Sequence, residues 1–193
     1  MSTATSETIS KSRIEAFSDG VLAIIITLLV LEITIPELHD PLSVSEAIRA
    51  LVSLLPVFIG FLLSFIFIAV FWINHHRFFG LVARPDWTLV WLNNFLLLVL
   101  CLIPFTTGLM GEHPENPIAL GLFAAVLAAN GAVFNLIWRY ARLKSLLSEH
   151  VSSQTIDRAI LRGLLGPVLY LTAMVTAFFV PTLSWIIFAV VPL

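Results

Sequence analysis

Cysteine is all but absent: the chain carries only Cys101, inside an apolar run, so it forms no intramolecular disulfide and implies no redox compartment. Charge is scarce too. Charged residues make up 11% of 193 positions against 59% apolar ones, and with a mean hydropathy of +1.02 this excludes an ordinary soluble domain. The basic residues form no clustered stripe and the net charge is -2, so nucleic acid is excluded as a partner. No short apolar core is followed by a small-residue cleavage site, and Met1 to Ser12 is polar, which predicts a retained, cytoplasmic N-terminus. Histidines are few and scattered. The adjacent His75 and His76 diverge by about 100° on a helix and do not chelate one ion, so neither a metal site nor an enzyme is expected.

What is present is a series of nearly charge-free runs, each close to the roughly 20 residues needed to cross about 30 Å of hydrocarbon. They predict an all-α polytopic membrane protein, a single six-helix unit over residues 1–193 with spans at approximately 13–35, 48–76, 87–111, 116–139, 161–180 and 182–193. Pro36 closes the first span, Pro56 kinks the second near its start, and Pro104 lies inside the third. The stretch from Arg139 to Arg162 reads as a short loop with helix ends on either side. The sixth span, at ~1.5 Å per residue, covers only about 18 Å and reads as a short or partial crossing.

Orientation follows from lysine and arginine. With the N-terminus inside, Lys11, Arg13, Arg77, Arg84, Arg139, Arg142, Lys144, Arg158 and Arg162 share the cytoplasmic side, and only Arg49 lies opposite. Both termini are then cytoplasmic. Glu37, Asp40, Glu46, Glu112 and Glu115 make the outer surface acidic, and such a surface concentrates cations.

The first span places Ser18 and Asp19 just before the charge-free run Gly20 to Leu31. A carboxylate at the edge of hydrocarbon needs a partner. If the second span returns beside the first, its end, Trp72 to Phe79, comes to the same depth and offers an indole N–H, an amide and two imidazoles. This predicts an interhelical network of Arg13, Ser18, Asp19, Trp72 and one of His75 and His76, with Phe17 and Asn74 assigned to it. The plain alternative leaves Trp72 and the histidines as interfacial belt residues.

The motif R-x-x-x-F-S-D-G-V-x-A-I at Arg13 to Ile24, T-L-L-V-L at Thr27 to Leu31 and W-x-N-H-H-R-F-F at Trp72 to Phe79 resemble the prokaryotic branch of the transmembrane protein 175 family of potassium channels. The resemblance covers the whole chain. It implies a homotetramer in a prokaryotic plasma membrane, with one first helix per subunit lining a central pore, potassium-selective leak-like conduction, and no cofactor beyond the permeant ion. Animal relatives carry two such repeats and work as dimers in endosomes and lysosomes. Here R-x-x-x-F-S-D occurs once, so four chains are needed.

At about 100° per residue, Ile24, Leu28 and Leu31 fall within roughly 60° of one another, with Gly20 and Phe17 continuing the stripe and Thr27 on its flank. The resemblance puts the isoleucine constriction of the pore at Ile24 and further apolar rings at Leu28 and Leu31. No T-V-G-Y-G loop occurs, which excludes a carbonyl filter of the usual kind and leaves selectivity to pore size, dehydration and the Thr27 hydroxyl. Glu32 and Glu37 either draw cations to the outer mouth or merely mark the interface. No span carries the arginine series of a voltage sensor. The competing reading is a proton-coupled secondary transporter in which Asp19 and His75 or His76 relay protons; Asp19 sits at the membrane edge rather than at mid-depth, which argues against it.

Overall fold

The computed structural model describes residues 9–34, 36–40 and 42–192. Most of the polar N-terminal stretch, Ile35 at the end of the first expected span, and Leu193 at the end of the sixth lie outside the described residues. Among the described residues nine α-helices run in order: α1 (Lys11–Leu28), which tightens into a 3-10 turn over Leu29–Glu32, α2 (Val44–Ser53), α3 (Leu55–Leu81), α4 (Trp87–Leu100), α5 (Ile103–Glu112), α6 (Pro117–Leu143), α7 (Ser153–Arg162), α8 (Leu165–Thr176) and α9 (Pro181–Val190). Among the described residues five segments are long and apolar enough to cross a membrane: Lys11–Glu32, Leu55–Leu81, Trp87–Glu112, Pro117–Leu143 and Ser153–Thr176. The sixth, α9, is shorter; its ten residues rise about 15 Å.

Proline sets the breaks. The stretch expected as one span over 48–76 divides at Leu54 into α2 and α3, because Pro56 has no N–H to give an interior turn and is accepted only in the first turn of a new helix. Pro104 likewise ends α4 at Leu100 and opens α5. Capping does the rest: Asp86 accepts from Leu89 N at 2.8 Å, and Asn116 accepts from Ile118 N at 2.8 Å and Ala119 N at 3.3 Å. Over 139–162 the chain is a short loop with helix ends on either side, as expected: α6 runs on to Leu143 and α7 starts at Ser153.

The core is centred on α6, which packs against α4, α5, α8 and α9. Small residues let it approach closely; a Cβ at Gly131 would stand 2.8 Å from Pro167 Cγ on α8. Phe71, Phe78, Phe134 and Trp138 tie α3 to α6 edge to face, Phe78 and Trp138 at 4.9 Å. At the end of the bundle rich in arginine, the α3–α4 loop pairs with the α6–α7 loop: Ala83 N donates to Leu146 O and Ser148 N to Leu81 O, each at 2.9 Å. There Tyr140 Oη donates to Asp86 Oδ2 at 2.6 Å, and Arg142 pairs with Asp157. The first helix joins this core at its edge through Ile14, Leu22 and Ile25. It touches α3, α4 and α5 on one side only.

Candidate functional site

The two sides of α1 differ sharply. Ile14, Ser18, Leu22 and Ile25, followed by Leu29 in the 3-10 turn, are buried. Opposite them Phe17 is 58% exposed, Ile24 59%, Leu28 43% and Leu31 70%. A helix whose apolar residues run all round but whose packing covers one side leaves a continuous aliphatic stripe with no partner among the described residues. Thr27 flanks the stripe, exposed, and its hydroxyl donates to Ile24 O at 2.8 Å. Its oxygen lone pairs remain available.

The covered side is pinned by hydrogen bonds in two arms. Asp19 Oδ1 accepts from Trp72 Nε1 at 2.8 Å, and the indole stacks on His76 with ring centroids 5.8 Å apart. The second arm is buried: Ser18 Oγ donates to Ile14 O at 2.9 Å and accepts from Asn93 Nδ2 at 2.9 Å, while Asn93 Oδ1 meets His75 Nε2 at 2.8 Å. Because the Asn93 amide N–H is spent on Ser18, its oxygen faces the imidazole, and the proton of His75 sits on Nε2. Phe71 and Phe79 flank that imidazole. Such a chain inside apolar surroundings is worth holding intact, since a lost partner there leaves a polar group without water.

Of the other expected members, Arg13 and Asn74 make no side-chain hydrogen bond or ion pair among the described residues; both are exposed. Arg13 lies at a cleft of about 720 Å3 between α1 and α4, with Phe17, Trp87, Val90 and Asn94 among its walls. Phe17 belongs to the stripe and this cleft, not to the hydrogen-bonded arms. At the opposite end of α1, the Glu32 carboxylate lies half-buried against Gly108 of α5, where any Cβ would overlap it. Glu37 is exposed in the following loop.

Asn93 is the residue that reading the sequence missed. The signal was depth: His75 lies six positions before the end of α3 and Asn93 six positions after the start of α4, so an intramembrane amide and an imidazole meet at one level. Ser64 and Thr107 form a second missed polar contact, at 2.6 Å between α3 and α5. Among the described residues no group of acidic, histidine and cysteine side chains is arranged to hold a metal ion.

Comparison with known proteins agrees with this architecture. The family model for the endosomal/lysosomal potassium channel TMEM175 matches residues 13–104. A potassium channel from Chamaesiphon minutus is 41% identical over 170 residues, covering 86% of this chain and 83% of that protein. The rat endosomal/lysosomal proton channel TMEM175 is 31% identical over 189 residues, or 94% of this chain, which spans only 37% of the rat protein. The crystal structure of a lysosomal potassium-selective channel TMEM175 homolog from Chamaesiphon minutus superposes with a TM-score of 0.83 at 38% identity, covering 94% of each chain. These relatives are ion channels rather than enzymes. Identity of this extent along both chains, together with the shared helical plan, makes this chain a membrane protein of the TMEM175 family.

Proposed function

We propose that the chain is one subunit of a potassium channel, a single six-helix unit of which four copies surround a central axis with α1 of each facing that axis. The observation that carries this reading is the uncovered stripe Ile24, Leu28 and Leu31 on a helix whose other side is buried and hydrogen-bonded. Rings of these side chains form a hydrophobic constriction that closes by dewetting and conducts when it widens enough to hydrate. Phe17 continues the wall toward the arginine-rich end. The Ser18–Asn93–His75 and Asp19–Trp72 arms hold the helix so that the stripe keeps its aim.

Selectivity in this reading comes from pore width, ion dehydration and the Thr27 oxygen, without a T-V-G-Y-G filter. Glu32 and Glu37 raise the cation concentration at the far mouth. The relatives named potassium channels support potassium as the permeant ion, and the rat relative, named a proton channel, makes proton current the quantity to measure beside it. The arginine-rich end faces the cytoplasm with both termini, in a prokaryotic plasma membrane.

The proton-coupled transporter reading draws less support from the geometry. Asp19 and His75 belong to separate arms, and the His75 Nε2 proton is committed to Asn93. Purified protein in a planar bilayer, with potassium on one side and sodium on the other, tests the proposal. Single-channel currents reversing toward the potassium equilibrium potential support it. Substrate-coupled proton uptake by liposomes that pass no unitary current would overturn it.

A further inference from the structure

The short helix α2 has no buried residue. At about 100° per residue, Val44, Ala47, Ile48, Leu51 and Val52 occupy an arc of roughly 140°, and Ser45, Glu46, Arg49 and Ser53 lie outside it. The apolar arc is bare: Val44 is 73% exposed, Leu51 66% and Val52 65%. An aliphatic arc this complete, with polar residues confined to the other side, is the pattern of a helix lying along a boundary between water and hydrocarbon.

Depth places it there. From Leu55 to His76 the next helix carries no charge, and at ~1.5 Å per residue that stretch alone rises about 33 Å, the full thickness of the hydrocarbon. So α2 lies beyond the hydrocarbon core, at headgroup level, on the side where Glu37, Glu112 and Glu115 cluster. Its bare arc runs on through Leu55, Phe58 and Ile59 into the exposed flank of α3. Leu55 and Ile59 share a crevice with Pro181 and Trp185 of α9, and Trp185 gives its indole N–H to Pro114 O at 3.0 Å, the position of an interfacial aromatic. Arg49 is exposed on the polar side, its Nε on Ser45 O at 3.2 Å, and its other guanidinium N–H groups make no hydrogen bond among the described residues, the geometry that suits a phosphate.

We propose that α2 lies in the plane of the bilayer, with Val44, Ile48, Leu51 and Val52 seated in the boundary between lipid headgroups and acyl chains and Arg49 at phosphate level. A free ten-residue helix would hold to lipid weakly, but α3 tethers this one at the surface and supplies the local concentration. The seat has a second attachment. Glu46, on the polar side, accepts the backbone N–H of His39 at 2.7 Å and of Asp40 at 3.1 Å, so the membrane-seated helix also holds the loop that follows α1.

The test uses the whole chain with Cys101→Ser and single cysteines Ile48→Cys, Val52→Cys or Ser53→Cys, each carrying a nitroxide, in nanodiscs of phosphatidylcholine with a quarter phosphatidylglycerol. At positions 48 and 52, collision with oxygen should exceed collision with a water-soluble nickel chelate several-fold, and position 53 should show the reverse. Equal nickel access at all three positions would overturn the proposal by placing α2 free in water. Shielding of position 48 from both reagents, with spin–spin broadening, would overturn it by placing a second copy on the arc. A diazirine phospholipid gives the same decision on the unsubstituted chain: adducts on Ile48, Leu51 or Val52 support the seat, and labelling of α3 and α8 with none on Val44–Ser53 would sink it.

Discussion

Trp72 Nε1 stands 2.8 Å from Asp19 Oδ1, tying the fifty-three-residue interval between them into one helix–helix contact. The bond is charge-assisted but partly exposed, so its worth falls toward the low end of the range for such pairs, about 1 kcal/mol. Trp72→Phe keeps the ring on His76 and removes the donor. Its unfolding in a graded SDS titration should shift by that amount, whereas Asp19→Asn, which keeps an acceptor oxygen, should shift less.

Asn93 carries more. Asn93→Leu removes a donor to Ser18 and an acceptor from His75 in a buried setting, where Ser18 still has Ile14 O but the His75 N–H is left unpaired. The expected loss is about 2 kcal/mol of stability. A double-mutant cycle with His75→Phe checks the assignment: coupling between the two positions should recover much of that loss.

How much of this was legible before the coordinates follows from what a sequence encodes. The covered and bare sides of α1 were readable because helical angle is fixed by position, and Trp72 with Asp19 because charge bias set the two helix ends at one depth. Asn93 was not, since its part depends on how α4 leans against α1, and nothing local records that. The separate helix α2 was absorbed into the second span although Pro56 marked the break. Hydrophobic content dominated the reading there, and α2 owes that content to one side only.

Conductance should respond to the stripe. Ile24→Asn places an amide where the proposed constriction dewets, and basal single-channel open probability should rise by an order of magnitude or more in planar bilayers. Unchanged currents from correctly assembled protein would move the constriction to Leu28 or Leu31.

Thr27 offers a finer test. Its hydroxyl proton is given to Ile24 O, which orients the oxygen lone pairs outward. Thr27→Val removes the oxygen at nearly constant volume and should lower the potassium-to-sodium permeability ratio; Thr27→Ser should preserve it. Equal ratios in all three would make the residue a packing element.

The loop after α1 has a pH limit. Backbone N–H groups of His39 and Asp40 hold the Glu46 carboxyl below its ordinary pKa of 4.5. A depressed carboxyl contributes its stability above the unfolded pKa and loses it as pH falls through the folded value. Hydrogen exchange at His39 and Asp40, corrected for intrinsic pH dependence, should therefore show constant protection near neutrality that is lost only below about pH 4.5. Glu46→Gln should remove most of that protection at every pH.

Ser18 and Asp19 are neighbours, so their two arms leave α1 about 100° apart around its axis. A rod gripped at two such angles resists rolling about its own axis. Turning α1 to change which side chains lie uncovered would break both arms at once, and splaying its far half would pull Leu29 and Glu32 from their seats on α3 and α5. In the proposed channel, widening is thus expected as a movement of α1 together with α3, α4 and α5 rather than as a turn of α1 alone.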